Sequence, residues 1–327
     1  MEDIAASPAD AGVARAGALA ARLESGLVGH AALVERLLIA LLTGGHVLIE
    51  GAPGLAKTRS VRRLADGIEG SFARIQCTPD LMPSDVTGTQ VYRQDSGRMD
   101  FLPGPVFHNL VLLDEINRAP PKVQSALLEA MAEGQVTAGG QTRPLPDPFM
   151  VVATQNPLEQ EGTYPLPEAQ LDRFLMHVVL DLPDARAEME ILDLVETEAR
   201  APAGHAAPAL DHAALSAMRQ QVLRVHLSAA LKSYMVALVM ATRRPAEGLD
   251  VTDRIRHAVS PRGTLALAAT ARARAWLRGR DYALPEDVAA LAPDVLCHRM
   301  APTWRAQAAG ESSRSIFAEI LAGVAPL

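Results

Sequence analysis

The sequence predicts an α/β protein, with a parallel sheet wound on both faces by helices and then an all-helical region. Three observations carry that prediction. Five short apolar runs alternate with helix-patterned segments as far as about residue 182, as in successive βαβ units. One of these runs opens through a glycine-rich turn into a helix. Beyond Leu182 the strand signals stop and only helical patterns follow.

Residues before about Gly26 read as a loosely held, alanine-rich helical lead-in. The expected division is therefore 1–25 lead-in, 26–184 α/β core, 185–210 connecting helix and linker, and 211–327 all-helical domain. Strands are expected at 46–50, 72–77, 110–115, 149–154 and 176–182. A helix should begin at Pro120-Pro121, line one face with Val123, Leu127 and Met131, and stop at Gly134. Two hairpins interrupt the rhythm. One pairs 89–93 with 98–102 across Gln94-Asp95-Ser96-Gly97, and the other pairs 135–138 with 141–145 across Gly139-Gly140, a favoured tight-turn dipeptide. Both read as insertions projecting from the core. Helices follow at about 185–199, 212–224, 228–244, 261–278, 285–298 and 305–322, with an Ala/Pro-rich connector at 201–210.

Composition narrows the function. Hydrophobic residues at 49% supply ample core, while aromatics at 4% and abundant alanine favour closely packed helices. A net charge of −7 argues against a general nucleic-acid binder. Cys77 and Cys297 stand far apart without metal-ligand company, which suggests a reduced, cytoplasmic setting. The acidic start Met1-Glu2-Asp3 lacks the order of a signal peptide. The most apolar helical stretch, 227–242, is shorter than a membrane span and contains Lys232.

The chemistry begins at Gly51-Ala52-Pro53-Gly54-Leu55-Ala56-Lys57-Thr58. Strand, glycine-rich turn and helix in succession form a phosphate cradle, because curled backbone N–H groups and the helix's positive end face one anion. Lys57 would reach the β- and γ-phosphates, and the Thr58 hydroxyl would sit on Mg²⁺. Ala56 replaces the usual glycine, and helical φ/ψ at that position would let the loop survive. About sixty residues on, Leu110-Val111-Leu112-Leu113-Asp114-Glu115 reads as a central parallel strand ending in two acids. Ligands of open α/β sheets lie beyond such strand ends. Asp114 is expected to hold the water shell of Mg²⁺, and Glu115 to polarise the attacking water. Together these motifs predict a Mg²⁺-dependent nucleoside triphosphatase.

Three further positions add to it. Asn156, ending Val151-Val152-Ala153-Thr154-Gln155-Asn156-Pro157, could contact the attacking water and γ-phosphate. Arg173 in Leu171-Asp172-Arg173-Phe174 could face a neighbouring subunit's nucleotide. Ser260 reads as an N-cap and Pro261 as the first helical residue, so Arg262 falls in a first turn, opposing the helix dipole. A nearby anion would compensate, and bound nucleotide supplies one. No histidine shows metal-ligand spacing, and His177 reads as a hydrogen-bonded structural residue. Met82, Met99 and Met131 read as core or interface packing.

With these motifs in this order, the chain resembles the MoxR family of AAA+ ATPases. The most specific parts are Gly104-Pro105-Val106-Phe107 leading into the run from Leu113-Asp114-Glu115-Ile116-Asn117-Arg118 to Gln124, and the run from Thr163-Tyr164-Pro165 to Phe174. Alanine at position 56 also resembles that family's phosphate loop. The resemblance implies an AAA+ core with a helical lid, and makes the hairpins the helix-2 insert and the pre-sensor-1 hairpin. It implies rings, usually hexamers, with ATP between subunits. By the same resemblance Asn156 is sensor 1, Arg173 the arginine finger and Arg262 sensor 2, with Arg118 at the subunit junction. It also implies a chaperone-like remodeler, working with a separate von Willebrand factor A domain protein in maturation or metal insertion of another complex. Two alternatives are a nucleic-acid motor and a nucleotide-dependent scaffold with little turnover. The first is disfavoured because Arg93 and Arg98 are offset by Asp95 and Asp100, the second because the expected catalytic residues are all present.

Overall fold

A computed structural model describes residues 8–95, 97–156, 162–200, 207–245 and 249–326. Ser96, Pro157, the first seven residues of the lead-in and 201–206 of the connector lie outside the described residues. In chain order the elements are α1 (Pro8–Glu24), α2 (Ala31–Thr43), β1 (Val47–Gly51), α3 (Lys57–Gly67), β2 (Phe72–Gln76), α4 (Pro83–Thr87), β3 (Gly88–Arg93) and β4 (Arg98–Pro103). Then come β5 (Leu110–Asp114), α5 (Pro121–Glu133), β6 (Gln135–Ala138), β7 (Gln141–Pro144), β8 (Met150–Gln155), α6 (Glu168–Leu171), β9 (Met176–Leu180) and α7 (Ala185–Arg200). The rest are α8 (His212–Arg224), α9 (Ala229–Ala241), β10 (Ile255–His257), α10 (Pro261–Leu277), α11 (Pro285–Leu296), β11 (Ala301–Pro302), α12 (Trp304–Ala308) and α13 (Ser313–Gly323).

The main sheet is parallel and ordered β2-β5-β8-β1-β9. Its central strands are continuous apolar runs because helices cover both faces. Alternation along each strand divides the sheet between two cores. Val47, Ile49, Leu112, Val152 and Val178 face a core shared with α1, α2 and the lid helices. Leu48, Val111, Leu113, Val151 and Ala153 face a second, where α5 contributes Val123, Leu127 and Met131 and where Phe174 is buried. The predicted α5 boundaries hold, with Pro121 opening the helix and Gly134 in the left-handed conformation closing it. Both hairpins form as expected. Gly139 and Gly140 both take positive φ, as the two-residue turn demands. The hairpins are also clasped together, since Arg143 lies 4.0 Å over the Phe101 ring and Gln90 donates to the Gly139 carbonyl at 3.3 Å.

Three expectations need correction. The lead-in is not loosely held: in α1, Ala16, Leu19 and Leu23 are buried against the first core. Burying each leucine contributes about 2 kcal/mol, enough to fix the helix. The last helix is broken, because Gly310 adopts φ +83° and Ser312 then caps α13. The lid also contains strand, since β10 and β11 pair antiparallel. Met131 is core, one of the two readings given for it, while Met82 and Met99 are more than half exposed. Among the described residues no helix is long and apolar enough to cross a membrane, and α9 packs Leu231, Met235 and Leu238 into the first core.

Candidate nucleotide site

β1 sits between β8 and β9, so its carboxyl end opens where the ends of β5 and β8 also emerge. A cleft of about 350 Å³ lies there, lined by Pro53 to Arg59, Asp114, Glu115, Thr154 and Asn156. The loop residues, both acids and Asn156 are thus brought together as expected. Lys57 Nζ donates to the carbonyls of Gly51 and Ala52. Thr58 Oγ1 donates to Asp114 Oδ2 at 3.2 Å. Thr154, on β8 two residues before Asn156, donates to Asp114 Oδ1 at 2.7 Å and accepts from the Glu115 N–H at 3.0 Å. Glu115 itself has φ +58°, a strained left-handed position at the strand end.

The loop corrects one expectation. Ala56 is not helical but left-handed, at φ 52° and ψ 21°. That is why the position usually carries glycine, and alanine there costs about 1–2 kcal/mol. The loop survives by absorbing strain and not by avoiding it.

Sequence reasoning missed several residues here. Arg74 on β2 donates from Nε and Nη2 to Asp114 Oδ2, at 3.0 and 2.6 Å. Two residues on, Gln76 donates to Glu115 Oε2 at 2.9 Å, as does Arg118 at 3.2 Å. The parallel register places Gln76 opposite Asp114, a pairing that no local pattern in Arg74-Ile75-Gln76 announces. Cys77, next in line, accepts no role: burial, then the charges of Asp114 and Glu115, push its thiol up to about 12. Behind the loop Glu50 accepts from Gln155 at 2.6 Å and pairs with His177 at 2.9 Å. The His177 contact is the main reason its carboxyl lies below the usual range. His177 is the structural residue expected.

A second, apolar hollow of about 260 Å³ shares Pro53 to Ala56 and Arg59 with the cleft. Leu27, Val28, Leu182, Ile191, Leu194 and Val195 line it. Arg59 and Arg63 both bind Glu198 of α7, and Arg59 also donates to the Gly26 carbonyl at 2.9 Å, which holds the two walls together. An apolar slot beside a phosphate loop suits a flat heterocyclic base. The main cleft has the donor set for a magnesium nucleotide: an ammonium, a hydroxyl and a carboxylate, the latter two being hard oxygen ligands.

Two predicted residues lie elsewhere. Arg173 donates to the Leu128 carbonyl of its own α5 and does not line the cleft. Arg262 is exposed and 4.0 Å from Asp172 Oδ2. The compensating anion at this helix start is thus Asp172. Its carboxylate also accepts from Ser260 Oγ at 3.0 Å and from the buried Arg299 at 3.0 Å. Ser260 caps α10 as expected, accepting from the Arg262 N–H at 3.2 Å. Arg299 in turn donates to the carbonyls of Phe174 and Leu175, pinning the lid to the core.

Comparison with known proteins agrees with the fold. Residues 46–176 match the ATPase family associated with various cellular activities (AAA), and residues 248–320 match the AAA lid domain. The chain is 46% identical to Chaperone MoxR1 of Mycobacterium tuberculosis, over 91% of this chain and 79% of the relative. It is 34% identical to Protein MoxR of Methylorubrum extorquens, over 89% and 90% respectively. A solved structure from Cytophaga hutchinsonii superposes with a TM-score of 0.89 at 43% identity, covering 98% of this chain and 97% of that one.

Proposed function

Because the chain belongs to the MoxR family of AAA+ ATPases, we propose that it hydrolyses Mg·ATP as a ring and uses that hydrolysis to remodel a protein client. The observation carrying this reading is the single cleft shared by Lys57, Thr58, Asp114, Glu115 and Asn156. In this reading the 51–58 backbone and Lys57 bind the β- and γ-phosphates, while Thr58 and Asp114 hold the metal. Magnesium, when bound, neutralises charge on the phosphate oxygens. Glu115 accepts the proton of the attacking water, and Asn156 orients that water against the γ-phosphoryl group. The base occupies the slot between Val28 and α7.

Arg173 and Arg262 complete the site from a neighbouring copy, because each stands outside its own chain's cleft. Leu182, Met189 and Leu192 lie exposed beside the base slot, an apolar surface that a second copy would cover. We take the ring to be a hexamer, following the family resemblance, and the setting to be cytoplasmic. The client is a protein complex undergoing maturation or metal insertion, presented with a separate von Willebrand factor A domain protein. A nucleic-acid client is disfavoured: Arg93 pairs with Asp100 at 3.4 Å and Arg143 stacks on Phe101. The two clasped hairpins instead offer Tyr92, Met99 and Leu102 to solvent.

The test is Glu115→Gln. It should bind ATP as tightly as wild type while turnover falls about 10²–10⁴-fold, and it should co-purify with client and partner from native cells in the presence of ATP. Wild-type turnover in that variant removes Glu115 from its role.

A further inference from the structure

Asp114 is more crowded than a waiting metal ligand should be. The residue is only 8% exposed. Its Oδ2 accepts from Arg74 Nε, Arg74 Nη2 and Thr58 Oγ1, and its Oδ1 accepts from Thr154 Oγ1. Each carboxylate oxygen offers about two acceptor positions, so Oδ2, the oxygen shared with Thr58, is oversubscribed, while Oδ1 carries one donor. A metal-bound water shell that meets Asp114 on the Thr58 side therefore has to displace a donor. Thr154 is fully buried and locked by the Glu115 N–H. Thr58 stands on the phosphate side and is itself an expected ligand. Arg74 is the replaceable one: its side chain is 51% exposed on edge strand β2, with a second partner, Gln76 Oε1, at 3.1 Å.

We propose that Arg74 is the resident counter-cation of Asp114, and that by competing for this carboxylate it sets how tightly the site takes Mg²⁺. The proposal rests on the nucleotide-site reading above. With the metal away, an unpaired, nearly buried carboxylate is costly, and the guanidinium removes that cost. With the metal present, the same guanidinium is a like charge close by and weakens its hold. Arg74 thus neutralises Asp114 while the metal is away and makes the metal-bound state easier to leave. It acts through Asp114 and is a positioning residue.

The test uses the full-length protein and a fluorescent ADP analogue, with nucleotide binding followed as Mg²⁺ is titrated. An adjacent Arg⁺ lowers a carboxylate's affinity for a proton by about one to three decades, and the same Coulomb repulsion acts on a metal ion. Taking the lower end, Arg74→Gln should lower the half-saturating Mg²⁺ concentration about tenfold. Nucleotide affinity in EDTA should stay within about twofold, since the competition concerns the metal alone. Arg74→Lys keeps the charge but loses the two-nitrogen grip, so it should shift in the same direction by about threefold. It also supplies the test if Arg74→Gln does not give a cooperative melting curve. An unchanged or raised half-saturation in a folded variant overturns the proposal. So does a large loss of affinity in EDTA, which would make Arg74 a phosphate ligand instead. Failure of the wild type to bind nucleotide under any condition would strike the underlying site reading and not the competition.

Discussion

The cleft and the Asp172 node make an instructive pair. In the cleft, functional side chains come from β1–α3, β5 and β8 and are fixed by the register of adjoining parallel strands. At the node, Arg173 follows the four-residue α6, and Arg262 opens α10. Ion pairs and capping contacts hold these, and Arg262 stays exposed. One region is gathered within a chain and preorganised by backbone pairing. The other is a lid anchor whose free faces look outward. The difference teaches that strand register preorganises one region, while ion pairs and a helix cap hold the other.

The largest effect should come from Arg173→Ala. If its guanidinium serves a neighbour's nucleotide, turnover falls about 10³-fold or more while ATP binding persists. Mixing that variant with Lys57→Ala chains should then restore part of the turnover, because each supplies what the other lacks. Absence of rescue in verified mixed assemblies would erase the distinction between the regions. A smaller effect is expected of Asp172→Ala, which strands the buried Arg299. Removing one partner of such a pair costs about 3–5 kcal/mol, visible as a lower denaturation midpoint of the lid–core unit. Unchanged stability would show that the node is not an anchor. Smallest is Ala56→Gly in the cleft. Relief of left-handed strain outweighs the added chain entropy, a net gain of about 0.5–1 kcal/mol in nucleotide-free denaturation. A loss there would mean that the loop is not strained.

What the sequence made legible follows the same division. The 51–58 loop, Asp114 with Glu115, and Asn156 each end an apolar run, so strand direction alone aims them at one place. Arg74, Gln76 and the lining of the base slot were not legible, because they depend on which strands lie side by side and on where α7 returns. Nothing local in Arg74-Ile75-Gln76 states that β5 is its neighbour. Asp172 was visible only as half of an adjacent acid–base couple. Its partners Ser260 and Arg299 lie far along the chain. Ala56 was misjudged because its conformation is imposed by the loop, against the residue's own preference. The lead-in was misjudged because an alanine-rich helix looks weak until its leucines meet a core.

The two cysteines have a practical consequence. Cys77 and Cys297 are buried, and burial foremost pushes both thiols up to about 12. At neutral pH almost none of either is thiolate, the form that attacks an electrophile. A cysteine introduced at the exposed Tyr92 or Leu182 position would thus be the sole fast-reacting thiol in an otherwise native chain. Donor and acceptor dyes placed there in separate copies would report how neighbouring chains approach one another, with no background labelling to subtract.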